Sequence, residues 1–492
     1  MTDSVEVRRG AYHDSVSLMQ ASRTVAQVPG VGAALVAMAT GLNIELLTGM
    51  GFATPEDAGP NDLLVAVRAE DDAAHQSALA ALAAALLPRP AAPGALAEQP
   101  ARTAGSAAAR RPATLAMVSV PGRYAFAEAM DALEAGLSVL VFSDGVPVAH
   151  EVLLKDAAAR RDLLVMGPDC GTAIVAGAGL GFANVVVPGP IGIVAASGTG
   201  AQQVCCLLDA AGVGVSHVLG VGGRDLSIEV AARSTLQALA ALDADPATEV
   251  IVVVSKPPAP EVADRVRAAA GALGKPVVLC LLGPGLPDLS AAVAEVLRAA
   301  GREAPAWPRW APPSPHEPRT GSLRGLFCGG TLCDEAMIIA ADALGPVASN
   351  IPLRPEWALD ASLRAPGHLM IDFGEDTLTA GRPHPMIDPS LRTERLLAEG
   401  DEPGSAVVLL DVVLGYGAAA DPAGDLAPAI TAARATATAA DRDLAVVVSL
   451  CGTEADPQGR DRQATALAAA GAAVFGSNAE AARHAVSLVR RR

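Results

Sequence analysis

The residues of this 492-residue chain that are best placed to do chemistry are small and hydroxylic rather than acidic or thiol-bearing. Between Gly192 and Gln203 an apolar run leads directly into Ser197, Gly198, Thr199 and Gly200 and then into a helical pattern. Small residues at such a strand-to-helix turn let backbone amides point outward, and the helix dipole adds partial positive charge; this is how a phosphate is held. The same spacing also suits an ordinary turn in which Ser or Thr caps the helix. A second copy of the arrangement, GLFCGGTLCDEAM, sets Gly329, Gly330 and Thr331 between a strand and a helix. Two such turns in one chain strengthen the reading of each as an anion site.

Other candidates are weaker singly. The segment VSVPGRYAF carries Pro121, Gly122 and Arg123 at a strand end, and SDGVP carries Ser143, Gly145 and Pro147 at the next. Ligands of open α/β sheets gather at strand ends, although Pro-Gly and Asp-Gly punctuate any βα turn. Among eight histidines, GRPHPMIDP sets His384 in a polar loop with Arg382 and Asp388, suited to a proton shuttle or anion clamp, or simply to a Pro-braced turn. Seven cysteines, an odd number without CxxC spacing, read as buried reduced thiols rather than a disulfide framework. Cys170 sits beside Asp169, which disfavours a thiolate, so a structural role is expected. No His/Cys/Asp spacing matches a metal site.

The elements that must position these residues follow from composition and periodicity. A hydrophobic fraction of 51% with 3% aromatics implies a core of Ala, Val, Leu and Ile, which suits parallel strands covered by helices. The expected class is α/β and multi-domain. Residues 1–87 read as a small α/β module, 88–112 as a linker, and 113–188 as a Rossmann-like unit. Residues 189–300 and 322–492 read as two flavodoxin-like units with echoing element order, joined by a Pro-rich linker over 301–321. A formal charge of -17 argues against nucleic acid or an anionic membrane as partner. With no apolar run long enough to span a bilayer and no leader-like N-terminus, a cytoplasmic location is expected.

The string GPDCGTAIVAGAGLGFANVV, followed by GPIGIVAASGTGAQQV and GVGGRDLS, resembles the α-subunit of succinyl-CoA synthetase. Together with RRGAYHDSVSLM near the N-terminus and GRPHPMIDPSLR around residue 384, it closely resembles the FdrA family. The resemblance implies CoA contacts at Pro121, Gly122, Arg123, Ser143, Gly145 and Pro147. It implies two helix starts gripping a phosphoryl group, one at Ser197, Gly198 and Thr199 and the other at Gly329, Gly330 and Thr331. Both ligase halves would then be fused in one chain. Two departures from the synthetase bear on the chemistry. The loop CLLGPGLPDLSAAV has no histidine to phosphorylate, and Ser255-Lys256-Pro257-Pro258 puts a positive charge where the synthetase has a negative one. The nucleotide-activating domain is also missing.

The resemblance therefore implies a subunit of a carbamoyl or acyl transferase, of the oxamate carbamoyltransferase type in purine and ureide catabolism. Its ligand would be a small phosphorylated acyl or carbamoyl compound, neutralised by Lys256 or Arg382, and further protein subunits would complete it. A second reading is an ADP- or GDP-forming acyl-CoA ligase that uses CoA, takes nucleotide activation from a separate chain and has His384 as substitute phosphate carrier. A third is a non-catalytic scaffold.

Overall fold

The computed structural model describes residues 2–11, 13, 15–55, 57–59, 61–87, 101–310, 319–379 and 382–489. The chain divides into two compact units, residues 1–101 with 381–383 and residues 102–380 with 384–492. Among the described residues no helix is long and apolar enough to cross a membrane.

The first unit runs β1 (Thr2–Arg8), α1 (Ser15–Ala26), β2 (Val31–Met38), α2 (Gly41–Gly49), β3 (Leu63–Ala69) and α3 (Asp72–Leu86). Its antiparallel sheet has the order β1-β3-β2. The central strand β3, LLVAVRA, is apolar on both faces because both are covered. Leu63, Val65 and Val67 pack with Leu18, Val25 and Leu82 of α1 and α3, while Leu64 and Ala66 pack with Leu47 and Phe52.

The second unit opens with α4 (Ala104–Ala108), β4 (Leu115–Val118), α5 (Gly122–Glu134), β5 (Ser138–Val141), α6 (Val148–Ala159) and β6 (Val165–Met166), with β4, β5 and β6 forming a three-stranded parallel sheet. Within the stretch read as a linker, residues 88–100 lie outside the described residues. Residues 104–108 there form a helical turn, because Thr103 and Ser106 cap each other reciprocally.

Next come β7 (Thr172–Val175), β8 (Ala178–Gly181), β9 (Pro188–Ala196), α7 (Gly198–Ala210), β10 (Val215–Gly220), α8 (Arg233–Ala244), β11 (Val250–Ser255), α9 (Pro260–Gly271), β12 (Val277–Leu281) and α10 (Leu289–Ala299). The six strands order as β12-β11-β9-β10-β7-β8. The β7–β8 hairpin falls in the stretch assigned from sequence to the Rossmann-like unit, yet it extends this sheet through an antiparallel pairing of β7 with β10. The apolar periodicity of so short a strand does not reveal its partner.

The remaining elements are β13 (Arg309–Trp310), β14 (Ser322–Phe327), α11 (Gly330–Leu344), β15 (Val347–Ser349), β16 (His368–Asp372), α12 (Asp376–Thr379), α13 (Ser390–Asp401), β17 (Ser405–Val413), α14 (Pro422–Ala439), β18 (Ala445–Cys451), α15 (Arg460–Ala469), β19 (Ala472–Phe475) and α16 (Asn478–Ser487). Their sheet orders as β13-β19-β18-β17-β14-β16-β15. Of the second stretch read as a linker, residues 311–318 lie outside the described residues, and β13 within it pairs with β19.

In both large sheets the first parallel strand, β9 or β14, is flanked by strands that come later in the chain, so the chain reverses its winding there. Ligands of open α/β sheets bind at such switch points, beyond the carboxyl ends of the strands. The two sheets share one hydrophobic core, to which Ile191, Val204 and Val252 contribute from the first and Phe327, Met337 and Val407 from the second. Helices α7, α10, α11 and α16 lie within that shared core.

Candidate functional site

Strand β9 ends at Ala196, and the Oγ of the following Ser197 accepts the Gly200 amide at 2.9 Å and caps α7. Strand β14 ends at Phe327, and Gly329 is the N-cap of α11 without a side chain to close it. The two helix starts meet: Ser197 Oγ and Thr331 Oγ1 are 2.6 Å apart. A Cβ at Gly329 would stand 2.8–2.9 Å from side-chain atoms of Thr199, and one at Gly200 would stand 3.0 Å from Thr331 Cγ2. At Gly329 φ is -117°, open to any residue, so glycine is required there by the close approach of the helices rather than by the backbone. First-turn amides have no carbonyl partner within their helix, and two positive dipole ends at one point reinforce each other toward an anion.

The last helices of the two halves repeat the meeting. Ser290 Oγ of α10 and Ser477 Oγ, the N-cap of α16, are 2.6 Å apart. Glu335 of α11 accepts the Leu289 amide and the Asn478 side chain, each at 2.7 Å. Pairing first helix with first and last with last is the signature of a pseudo-two-fold between the halves.

Charge gathers on one side of the α7–α11 contact. Lys256 follows β11, Asp372 ends β16, and Asp334 lies one turn into α11. A Cβ on Gly330 would be 2.7 Å from Asp372 Oδ2 and 2.8 Å from Lys256 Nζ. Asp372 and Asp334 are 4% and 7% exposed. Burial pushes the Asp372 carboxyl up to about 7 and that of Asp334 up to about 6, with Lys256 pulling both down. Asp411 of β17 already accepts the Cys328 and Gly329 amides at 2.7 and 2.9 Å and is paired with Arg392 at 2.8 Å. An incoming anion is therefore left with the amides of the first turn of α11, and the resident carboxylate holds the turn before it.

His384 stands beside this cluster. Its Nδ1 accepts the Met386 amide at 3.2 Å, and burial, with Arg392 adding to it, pushes its pKa down to about 4. The neutral ring thus carries its proton on Nε2, which lies 2.8 Å from where a Cβ on Gly374 would stand. With one nitrogen accepting and the other protonated, the ring has no free lone pair with which to take a phosphoryl group. The structure brings Lys256 and His384 together around Asp372 and Gly374. Arg382 is exposed and belongs with the N-terminal unit.

The candidates at the ends of β4 and β5 form a second cluster. Ser143 Oγ accepts the Val120 amide at 3.1 Å and ties the two loops together. Gly122 packs directly on the Asp144 carbonyl, where any side chain would collide. Pro121 and Pro147 are the N-caps of α5 and α6 and offer no side-chain cap, Gly145 takes φ +61°, and the exposed Arg123 lies 4.6 Å from the Tyr124 ring centre. Open helix starts beside an exposed guanidinium fit the phosphates of a cofactor such as CoA. Behind them Lys155, fully buried, bonds Glu151 and Asp225 at 2.7 Å each and the Val221 carbonyl at 2.9 Å. All seven cysteines are buried and free, and burial pushes the Cys170 thiol up to about 12, well out of the reactive range.

Sequence reasoning did not single out Asp372, Asp334, Asp411 and Arg392. The available signal was an acid inside an otherwise apolar strand: LLDVV places Asp411 mid-strand, and HLMID ends β16 on Asp372.

Several comparisons bear on this geometry. Residues 326–488 match the CoA-ligase family, and residues 1–101 match a family described as AllF, heavy metal-associated domain. The first 101 residues contain no cysteine and only two histidines, His13 and His75, and His75 Nε2 is engaged 2.6 Å from Ser4 Oγ. Among the described residues no group of three or more His, Cys, Asp or Glu side chains could hold a metal ion. A soft metal does not fit this module.

Uncharacterized protein YahF of Escherichia coli (strain K12) is 39% identical over 500 residues, covering 97% of each chain. Subunit alpha 1 of an ADP-forming succinate–CoA ligase from Archaeoglobus fulgidus is 33% identical over 125 residues, covering 25% of this chain and 43% of that one. The apo structure of a dinucleotide-forming acetyl-coenzyme A synthetase 1 from Ca. Korarchaeum cryptofilum aligns with a TM-score of 0.29 and 17% identity, over 77% of this chain and 83% of that one. Residues 326–488 are thus CoA-ligase-like, within a chain of mixed α/β architecture. By identity along nearly its whole length, the chain belongs to the family of YahF.

Proposed function

We propose that this chain is the acyl-phosphate-handling subunit of a carbamoyl or acyl transferase of the FdrA type, taking carbamoyl phosphate as its phosphorylated ligand. The observation that carries this reading is the 2.6 Å contact of Ser197 with Thr331, which joins two helix starts beside Lys256. The phosphate would lie against the first-turn amides of α7 and α11, with the two hydroxyls turning to donate. Transfer forms a C–N bond from the carbamoyl carbon to an acceptor nitrogen as the C–O bond to phosphate breaks. The acceptor gives up one proton, and phosphate departs with the bonding electron pair. The Lys256 ammonium would offset the charge that grows on the leaving phosphate. The state of His384 supports transfer without a phosphoenzyme, since the one ring lone pair of the neutral imidazole is taken up by the Met386 amide. On the resemblance to FdrA, the acceptor would be oxamate, in purine and ureide catabolism, with further subunits completing the enzyme.

A second reading, an acyl-CoA ligase served by a separate nucleotide-activating chain, draws on the CoA-ligase match and on the open helix starts at Gly122 and Val148. In it Gly122, Arg123 and the α5 amides would hold the CoA phosphates. Calorimetric titration of the whole chain with carbamoyl phosphate and with CoA separates the two. Heat from carbamoyl phosphate alone is expected for the transferase; heat from CoA alone would favour the ligase.

A further inference from the structure

Strands β14, β17, β18 and β19 run parallel, and the Ser197–Thr331 contact lies beyond the carboxyl end of β14. At the amino ends of β18 and β19, on the opposite edge of the sheet, a cavity of about 30 Å³ is lined in part by Arg319, Arg434, Val446, Gly471, His484 and Leu488. Arg434 reaches from α14 over Gly471, whose φ of +92° suits glycine and where a Cβ would stand 1.7 Å from Arg434 Nη1. That Nη1 donates to the Ala470 carbonyl at 3.3 Å. Arg319 donates its amide to the Leu488 carbonyl at 2.8 Å, and its Nε and Nη2 to Asp443. The Arg319 Nη1 is buried and has no hydrogen-bond partner among the described residues. The His484 ring, packed on Phe475 with centres 5.0 Å apart, forms part of the wall.

The charges around this cavity do not balance. Asp443 answers Arg319, whereas Arg434 has no carboxylate within ion-pair reach among the described residues. A buried guanidinium N–H left unpaired is costly, and such donors are normally met by a water or an ion. Water would satisfy the donor but leave the surplus charge, while an anion answers both. With room for only about two water-sized bodies, the cavity is too small for phosphate. We infer that it is a binding site for a monoatomic anion of chloride size, held between Arg319 Nη1 and the Arg434 guanidinium. The ion ties α14 and the entry to β19 to the segment at Arg319 and the end of α16. The site lies at the other end of the strands from the joined helix starts, so it stands independently of the acyl-phosphate reading.

Crystals of the full chain grown in sodium bromide, with data collected at the bromine absorption edge, test this without a variant. An anomalous difference peak is expected within hydrogen-bonding reach of Arg319 Nη1 and the Arg434 guanidinium. A second measurement follows the melting temperature as chloride replaces gluconate, an anion too large for the cavity, at constant ionic strength. The wild type is expected to rise saturably by about 2 °C or more, because an ion that binds only the folded chain stabilises it. Arg434→Met removes the surplus cation at similar length and is expected to lose at least about half of that rise. A cavity without a bromide peak, which would hold ordered water only, overturns the inference. So does a chloride-dependent rise as large in Arg434→Met as in the wild type.

Discussion

Ser197 and Thr331, 134 positions apart in the chain, place their hydroxyl oxygens 2.6 Å from each other at the starts of two helices. Each follows the first parallel strand of its sheet, so the contact marks where the two halves meet about their pseudo-two-fold.

Replacing Gly329 by Ala drives a Cβ into Thr199 and is expected to force the helix starts apart. Overpacking of this kind costs about 1–3 kcal/mol. The variant should melt at lower temperature and bind carbamoyl phosphate less tightly, and adding Thr199→Gly should restore binding in part. Unchanged binding in Gly329→Ala would show that the contact does not shape the site.

Lys155→Met should be among the most damaging single changes, since it leaves Asp225 buried without a cation and Glu151 with Arg224 alone. Breaking a buried ionic network from one side costs roughly 3–5 kcal/mol. Urea denaturation measures it; a loss below about 1 kcal/mol would mean that the two acids find other partners.

The stability of the chain should depend on Asp372 in a definite direction. Its carboxyl holds a proton up to about 7 in the folded chain, against an ordinary value of 3.8. The folded state therefore binds more protons between these values, and this group makes stability fall as pH rises from about 4 to 7. Asp372→Asn removes the titration, so its melting temperature relative to wild type should climb between pH 5 and pH 8. Between pH 5 and pH 8 the climb corresponds to roughly 2–3 kcal/mol. A difference that stays flat with pH would mean that Asp372 is ionised throughout.

His384 acts with the opposite slope. Its folded value of about 4 lies below the ordinary 6.5, so the unfolded chain binds the extra proton and this contribution to stability is lost as pH falls from 6.5 toward 4. The same neutral, Nε2-protonated ring should leave no acid-labile phosphate on the chain after incubation with carbamoyl phosphate. Phosphate recovered on His384 would revive the ligase reading.

Much of this site was legible in the sequence because its pieces are local. A strand running into Ser-Gly-Thr-Gly or Gly-Gly-Thr and then a helix can be recognised within a dozen residues, and so can Pro-Gly-Arg at the start of α5. What was not legible depends on sheet order. Asp372 reaches Gly330 because β16 lies beside β14, and Asp411 reaches the Gly329 amide because β17 lies on the other side of β14. No spacing in the chain announces those neighbours. The β7–β8 hairpin, within the stretch read as Rossmann-like, pairs with β10 for the same reason unannounced, since four-residue strands carry no mark of their partner. Arg382 and His384 stand two residues apart in the sequence, yet they fall in different compact units.

The central claim is that the joined helix starts bind a small acyl phosphate. Phosphorus NMR of carbamoyl phosphate titrated with the whole chain, and then with Ser197→Ala, tests it most directly. The wild type is expected to shift or broaden the phosphate resonance saturably. Ser197→Ala, which removes both the α7 cap and the Thr331 contact, should weaken binding by about 10-fold or more while the chain stays folded. A resonance that the wild type leaves unchanged at millimolar ligand would contradict the claim.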